Sequence, residues 1–409
     1  MKRILLLFAV TVGLIGFYKP ANSNSNKLFW IKVTAKDKFA RSVIVNTGAS
    51  VEIVRDGFVV AVGGDAELNR LEKLGWVESY HEINDALDFP AEDQVYHNYS
   101  ELVTELNNIH NEFPDVTSLY SIGKSIEGRD ILALRISSNL DKASQKPGII
   151  FMGGHHAREH LSVETPLLLV KRLLSEYKNQ NAMAMNIIEY RDLHIIPAVN
   201  PDGMEYDISA NKYKYWRKNR AKNNNGTYGV DLNRNYGYQW GTGGSSQDQG
   251  SDIYMGPKPF SEPETQAIKN YVEKNTNLSI LLSFHTFSKL ILYPWGHKYD
   301  AVTDAKDRAV FETMGRKMAS WNGYEPQQAS ALYIASGDTC DWAYGEHKIF
   351  AFTFELDPAN DGWGGAGFYP GAGIISEVVD KNYQPFLYLI GLADNPYRAI
   401  QKGPIGSSY

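Results

Sequence analysis

Five short runs of residues constrain this chain most. Segments 130–136, 148–152, 192–197, 278–284 and 350–354 are five to seven residues long, largely apolar and rich in Ile, Leu and Phe. Runs of strand length that are apolar without alternation belong to strands covered on both faces. Stretches with helical periodicity lie between them, at 165–177 and 262–274. From Tyr96 onward the chain therefore reads as an α/β domain on a mixed, mostly parallel central sheet flanked by helices. Sheets of this kind bind ligands just beyond the carboxyl ends of their strands, so polar residues that directly follow a strand are the first candidates for chemistry.

Length and charge narrow the function. The 409 residues exceed one ordinary domain of about 150 residues. With 43% hydrophobic and 22% charged residues the chain has the balance of a folded globular protein. Forty-one basic against 47 acidic side chains leave a net charge of −6, which supplies no field to hold a nucleic acid. Cys340 is the sole cysteine, so no intrachain disulfide can form.

The front of the chain divides from the rest. Met1-Lys2-Arg3, an apolar stretch over 4–17 and the small polar Ala21-Asn22-Ser23 form the pattern of a secretory signal peptide over residues 1–23. The apolar stretch is shorter than the roughly 20 residues that span a bilayer. Export is expected, to the outside or to a periplasm, with no membrane span after signal cleavage. Strand patterns at 28–33, 51–55, 58–62 and 77–81 and helical ones at 38–45 and 66–74 give the order β-α-β-β-α-β, a small open sandwich over 24–87. Asp56-Gly57 reads as a type I′ hairpin turn. A polar, acidic connector over 84–93 leads to a large domain over 88–409. The small domain is either a removable prosegment or a permanent accessory.

The densest chemical signal is Gly153-Gly154-His155-His156-Ala157-Arg158-Glu159-His160, directly after the strand pattern ending at Met152. A helix starting here would put His156 and Glu159 one turn apart on one face, able to converge on a metal ion. His285 ends another buried run, Leu282-Ser283-Phe284. Two close ligands plus a distant histidine is the make-up of an open catalytic zinc site. The same residues also fit the inverted pattern H-x-x-E-H, in which His156 and His160 bind zinc and Glu159 is the base. Glu355, at the end of Phe352-Thr353-Phe354, is a poor structural choice unless it works there. Trp216-Arg217-Lys218, Asp231-Leu232-Asn233-Arg234 and Leu332-Tyr333 also carry polar groups in apolar surroundings. The basic run from Lys212 to Lys222 reads as a solvated face, with Arg217 alone exempted.

In these spaced motifs the chain from about Asp88 to about Tyr397 resembles the zinc metallocarboxypeptidases of the carboxypeptidase A/B type, most closely the bacterial carboxypeptidase T branch. The resemblance implies that His156, Glu159 and His285 hold one zinc ion and makes His160 a bystander in the pocket wall. It implies that Glu355 is the general base and that Arg217 polarises the scissile carbonyl. Asp231 would orient His156. Asn233 and Arg234 would clamp the substrate's free carboxylate, and Tyr333 would close over it. Leu332, Ala335, Asp338, Cys340 and Thr353 fall at or near pocket positions. Cys340 stands where the A type has a large aliphatic residue and the B type an acid, and Asp338 resembles the acid of carboxypeptidase T. The implied enzyme is a secreted monomer, made as a zymogen, that removes apolar, aromatic and also basic C-terminal residues from peptides. An activating protease would cut near 84–88. A structural calcium ion is a further expectation, with Tyr96 and Glu101 at matching places and Gln94 departing. A peptidase of cell-wall peptides, a binding module without catalysis and the inverted zinc site are the rival readings.

Overall fold

The computed structural model describes residues 27–83, 87–88, 91–359 and 367–401. The signal-peptide pattern and residues 84–86 of the expected cleavage stretch lie outside the described residues.

The front domain has the expected order: β1 (Phe29–Thr34), α1 (Lys38–Asn46), β2 (Ser50–Arg55), β3 (Phe58–Gly63), α2 (Asp65–Leu74) and β4 (Val77–Glu82). Its four strands form an antiparallel sheet in the order β2-β3-β1-β4. The β2–β3 turn departs from expectation. Gly57 has a φ of +85° but Asp56 is not left-handed, whereas type I′ needs both central residues there. Asp37 caps α1 by accepting from the Ala40 N–H, and Gly75 ends α2 in the left-handed region.

Side-chain alternation in this sheet serves two interfaces. Ile31, Val33, Val59 and Ala61 pack with Ile44, Leu68 and Leu71 of the domain's own helices. Trp30, Ile53, Val60 and Val62 face the other way, onto Tyr215, Phe287 and Phe368 of the large domain. The run Phe58-Val59-Val60-Ala61-Val62 lacks polar alternation because both faces of β3 are covered.

The large domain adds β5 (Leu87–Asp88), α3 (Tyr99–Glu112), β6 (Thr117–Lys124), β7 (Asp130–Ile136), β8 (Gly148–Met152), α4 (Leu161–Lys178), α5 (Ala182–Tyr190), β9 (Asp192–Ile196), α6 (Pro201–Ile208) and β10 (Lys212–Tyr213). It continues with α7 (Pro263–Lys274), β11 (Leu278–Thr286), β12 (Leu290–Tyr293), α8 (Ala305–Asn322), β13 (Glu325–Gln328), α9 (Thr339–His347), β14 (Phe350–Leu356) and α10 (Ile375–Leu392). Eight strands form the central sheet in the order β13-β12-β14-β11-β8-β9-β7-β6. The β13–β12, β14–β11, β11–β8 and β8–β9 ladders are parallel and the other three antiparallel, which makes the sheet mixed as expected. One face packs on α4, α8 and α10 through residues such as Phe151, Phe284, Phe311 and Phe386, and the other on α7 and α9 through Ile150, Leu281, Ile268 and Trp342. His156 lies just beyond the carboxyl end of β8, and His285 and Glu355 are the second-last residues of β11 and β14. No described helix is long and apolar enough to cross a membrane.

Candidate metal centre and substrate cleft

The first two candidate ligands sit in a turn, not in a helix. After β8 the chain turns through residues 155–158, and α4 begins only at Leu161. The Glu159 N–H donates to the His156 carbonyl at 3.2 Å, which brings the two side chains to one side. Gly153 makes the approach feasible, because a Cβ there would stand 1.9 Å from the Ser162 carbonyl oxygen. β11 supplies the third group. Pairing with β14 in parallel register sets His285 beside Glu355, so ligand candidate and base candidate leave the sheet on the same face.

His156 Nδ1 lies 2.8 Å from one Glu159 carboxylate oxygen, and His285 Nδ1 lies 2.9 Å from the other and 3.1 Å from His156 Nδ1. Among the described residues this is the one cluster of three such donors within metal reach, all buried. On its far side His156 directs Nε2 at Asp231 Oδ1, 3.1 Å away. A proton held there leaves the Nδ1 lone pair facing a carboxylate, an arrangement that a shared cation resolves. The donor set therefore fits zinc. Burial alone would raise the Glu159 carboxyl, but the two imidazoles outweigh it and hold it well below the usual range. Burial also lowers His285, against the pull of Glu159, which favours the neutral, ligating imidazole.

His160 does not join them. Its Nε2 meets Asp207 at 2.9 Å, with Tyr213 and Tyr369 packed about its ring. That geometry overturns the inverted zinc pattern and also corrects the expectation of a pocket wall, since His160 is interior. His155 is interior as well, against the Tyr236 hydroxyl at 2.9 Å.

A cavity of about 820 Å³ opens from the metal cluster, and Arg217, Asn233, Arg234, Tyr333, Asp338, Cys340 and Glu355 all line it. Arg217 donates Nε to Asp231 Oδ2 at 3.0 Å, with Nη2 ion-paired to the same oxygen, so a single carboxylate orients both His156 and Arg217. Burial and the nearby Glu159 push the Glu355 carboxyl well above its ordinary range, with Arg217 opposing. Asn233 spends its side-chain oxygen on the Thr339 N–H and hydroxyl, so its amide N–H is what it offers the cavity. Arg234 is steadied by donating Nε to the Gly244 carbonyl at 3.0 Å. Gly244 has φ +65°, and a Cβ there would lie 1.7 Å from the Ile334 carbonyl oxygen, so the two cavity segments touch through this glycine.

Asp338 caps α9, accepting from the Cys340 and Asp341 N–H groups through Oδ1, while its buried Oδ2 has no protein partner. Burial and Asp341 push its carboxyl up. The Cys340 thiol packs 3.1 Å from the Thr353 hydroxyl, and burial keeps it protonated. Lys218, expected among solvated lysines, is instead buried with Nζ on the Gln249 and Ser251 carbonyls. Glu101 accepts from the Asn98 N–H to cap α3, and the Tyr96 hydroxyl donates to the Gly371 carbonyl.

The front domain borders the same cavity. Glu52 of β2 accepts from Arg158 Nη2 at 2.6 Å, and Asp252 takes the other end of that guanidinium at 3.2 Å. The Tyr333 hydroxyl donates to the Val51 carbonyl at 3.3 Å. Arg41 reaches the carbonyls of Ala331 and Leu332, the Ile334 N–H donates to Ser42, and the Gly244 N–H donates to Asn46. Sequence reasoning passed over Glu52 and left Arg158 unassigned inside the motif it quoted. The hint for Arg158 was an arginine hemmed in by a strand end and an apolar helix.

The sequence model of the zinc carboxypeptidase family matches residues 102–385. A zinc carboxypeptidase of Saccharothrix mutabilis subsp. capreolus is 34% identical over 393 residues, which cover 90% of this chain and 89% of that protein. Carboxypeptidase B of Astacus astacus is 32% identical over 277 residues, 66% of this chain and 88% of that protein. Among solved structures, thrombin activatable fibrinolysis inhibitor is similar with a TM-score of 0.71 at 22% identity, covering 90% of this chain and 100% of that one. Carboxypeptidase A from Helicoverpa armigera gives a TM-score of 0.73 at 24% identity over 92% of this chain and 98% of that one. At such identities these two structures speak for the fold alone.

Proposed function

The chain belongs to the zinc carboxypeptidase family, and from that premise we propose how its own residues divide the work of removing a C-terminal amino acid. His156, Glu159 and His285 hold the zinc ion, which when bound supplies Lewis-acid activation of water. Glu355 takes a proton from the attacking water and later delivers it to the leaving amine. A carboxyl raised by burial suits that traffic better than an ordinary one. Arg217 donates to the scissile carbonyl oxygen as negative charge develops on it, and Asp231 keeps that guanidinium aimed. Asn233 and Arg234 bind the substrate's terminal carboxylate, and Tyr333 folds over it.

The observation that carries this reading is a single cavity lined at once by the metal donors His156 and Glu159, by Glu355 and, from the large domain, by the guanidinium groups of Arg217 and Arg234. One cation near the metal suffices for peptide hydrolysis. A second, Arg234, is explained by a second anion, the free carboxylate. Asp338, with a buried oxygen lacking a partner, would meet a Lys or Arg side chain, while Leu332, Ala335, Cys340 and Thr353 suit apolar and aromatic ones.

We read residues 24–87 as an inhibitory prosegment, released by a protease that cuts the connector, and the enzyme as a secreted monomer. Support comes from the Glu52, Val51, Arg41 and Ser42 contacts at the cavity and from the signal-peptide pattern. To test the reading, the full chain is clipped in the connector and incubated with peptides ending in Phe, Leu, Lys, Arg or Glu, with products followed by mass. Stepwise loss of C-terminal residues is expected, abolished by a chelator and by Glu355→Gln. Internal cuts, or equal activity on C-terminally amidated peptides, would overturn it.

A further inference from the structure

Arg217 and Glu159 come from different parts of the chain, and no regular element joins them. Arg217 follows the two-residue strand β10 in a segment without helix or strand. Just before it the backbone kinks at Tyr215, whose φ of +55° lies in the left-handed region that a bulky residue occupies only under constraint. That constraint is visible. The Tyr215 N–H donates to the Tyr369 hydroxyl at 2.9 Å and its carbonyl accepts from Arg158 at 3.1 Å. The next N–H, of Trp216, donates to Asp207 at 2.7 Å.

Asp207 is an odd carboxylate. It is wholly buried, in the last turn of α6, where the helix dipole disfavours negative charge. Three donors compensate. Besides Trp216, His160 Nε2 meets it at 2.9 Å, and the Tyr369 hydroxyl lies 3.1 and 3.0 Å from its two oxygens. His160 directly follows Glu159, and Trp216 directly precedes Arg217. A single buried carboxylate thereby ties the neighbour of a metal-ligand candidate to the neighbour of the guanidinium that must reach the scissile carbonyl.

We propose that Asp207 is a positioning residue for the hydrolysis: by holding Trp216 against His160 and Tyr369, it sets the reach of Arg217 relative to the metal centre. The proposal rests on the role given to Arg217 above. Misplacing a group of that kind by about 1 Å costs on the order of a hundredfold in rate.

The test uses the full chain clipped in the connector, a peptide ending in Phe, and Asp207→Asn made in both the wild type and an Arg217→Ala background. Asparagine keeps the shape but turns an N–H group toward donors. Expected is a fall in kcat of at least about tenfold with KM changed less than about twofold and one zinc per chain retained. In the Arg217→Ala background the same substitution should change kcat less than about twofold, because what it positions is gone. Multiplying losses, a rise in KM at unchanged kcat, or loss of zinc would each overturn the proposal. Should Asp207→Asn fail to fold, Tyr369→Phe is read in the same way, and an unchanged kcat there overturns it too. If Arg217→Ala itself leaves kcat intact, the role given to Arg217 fails instead, which is a separate outcome.

Discussion

Replacing Glu52 by Gln should loosen the front domain's hold on the cleft. The pair it breaks is deeply buried: the Arg158 and Glu52 side chains are 1% and 5% exposed and 2.6 Å apart. Burial would raise the Glu52 carboxyl, but Arg158 and Arg217 outweigh it and hold it below its ordinary range. Removing one charge from a buried pair costs about 3–5 kcal/mol. Asp252 remains on the other side of Arg158, and glutamine can still accept one hydrogen bond, so about 3 kcal/mol is expected. At about 1.4 kcal/mol per tenfold, the two clipped fragments should separate at roughly a hundredfold higher concentration for Glu52→Gln than for wild type. The assay dilutes the clipped chain and records the concentration at which hydrolysis appears. In wild type the hold is complete above the ordinary glutamate range and is lost as pH falls through the depressed folded-state value, whereas the variant should lack that dependence. Equal dissociation constants for the two forms would refute the view that the Glu52–Arg158 pair holds the front domain on the cleft.

His285→Ala is expected to lose zinc while His160→Ala keeps it, as measured by metal content after dialysis; the inverted zinc pattern predicts the opposite. Asp338→Asn should lower kcat/KM for peptides ending in Lys or Arg by about tenfold or more and leave those ending in Phe within about threefold, read by competition between the two peptides. Glu264 is wholly buried, and burial, aided by Glu262, pushes its carboxyl up to about 7. A raised acid binds its proton more tightly in the folded state, so stability falls as pH climbs from the ordinary glutamate range to about 7, by on the order of 3 kcal/mol. Thermal unfolding of Glu264→Gln across that range should therefore gain on the wild type as pH rises, and a constant offset would count against it.

The strands that place the site were legible because burial on both faces writes itself as an unbroken apolar run. β7 and β8 match their expected limits to the residue. β11 runs two residues beyond Phe284, through His285 and Thr286, because a polar side chain that serves the site looks in sequence like the end of the strand. β13, Glu325-Pro326-Gln327-Gln328, left no signal: as an edge strand it needs little apolar character. The grouping of His156, Glu159 and His285 came from the family resemblance, since motif spacing alone left His160 as a rival ligand, and the turn geometry between His156 and Glu159 was not legible, since a helix and a tight turn both bring residues three apart together. Pairs such as Glu52 with Arg158 and Asp207 with His160 join residues far apart in the chain, and nothing local in either partner announces the other.

The front domain meets the two segments beside Arg234 and Tyr333 chiefly through their backbone: the carbonyls of Ala331 and Leu332 and the N–H groups of Ile334 and Gly244. Backbone atoms stay in place when side chains change. On the prosegment reading proposed above, latency would rest on the backbone of Leu332 and selectivity on its side chain, so that exchanging Leu332 to admit another C-terminal side chain would leave the atom that the front domain grips untouched. A lineage of such enzymes could diversify its diet one pocket residue at a time without having to reinvent its safety catch.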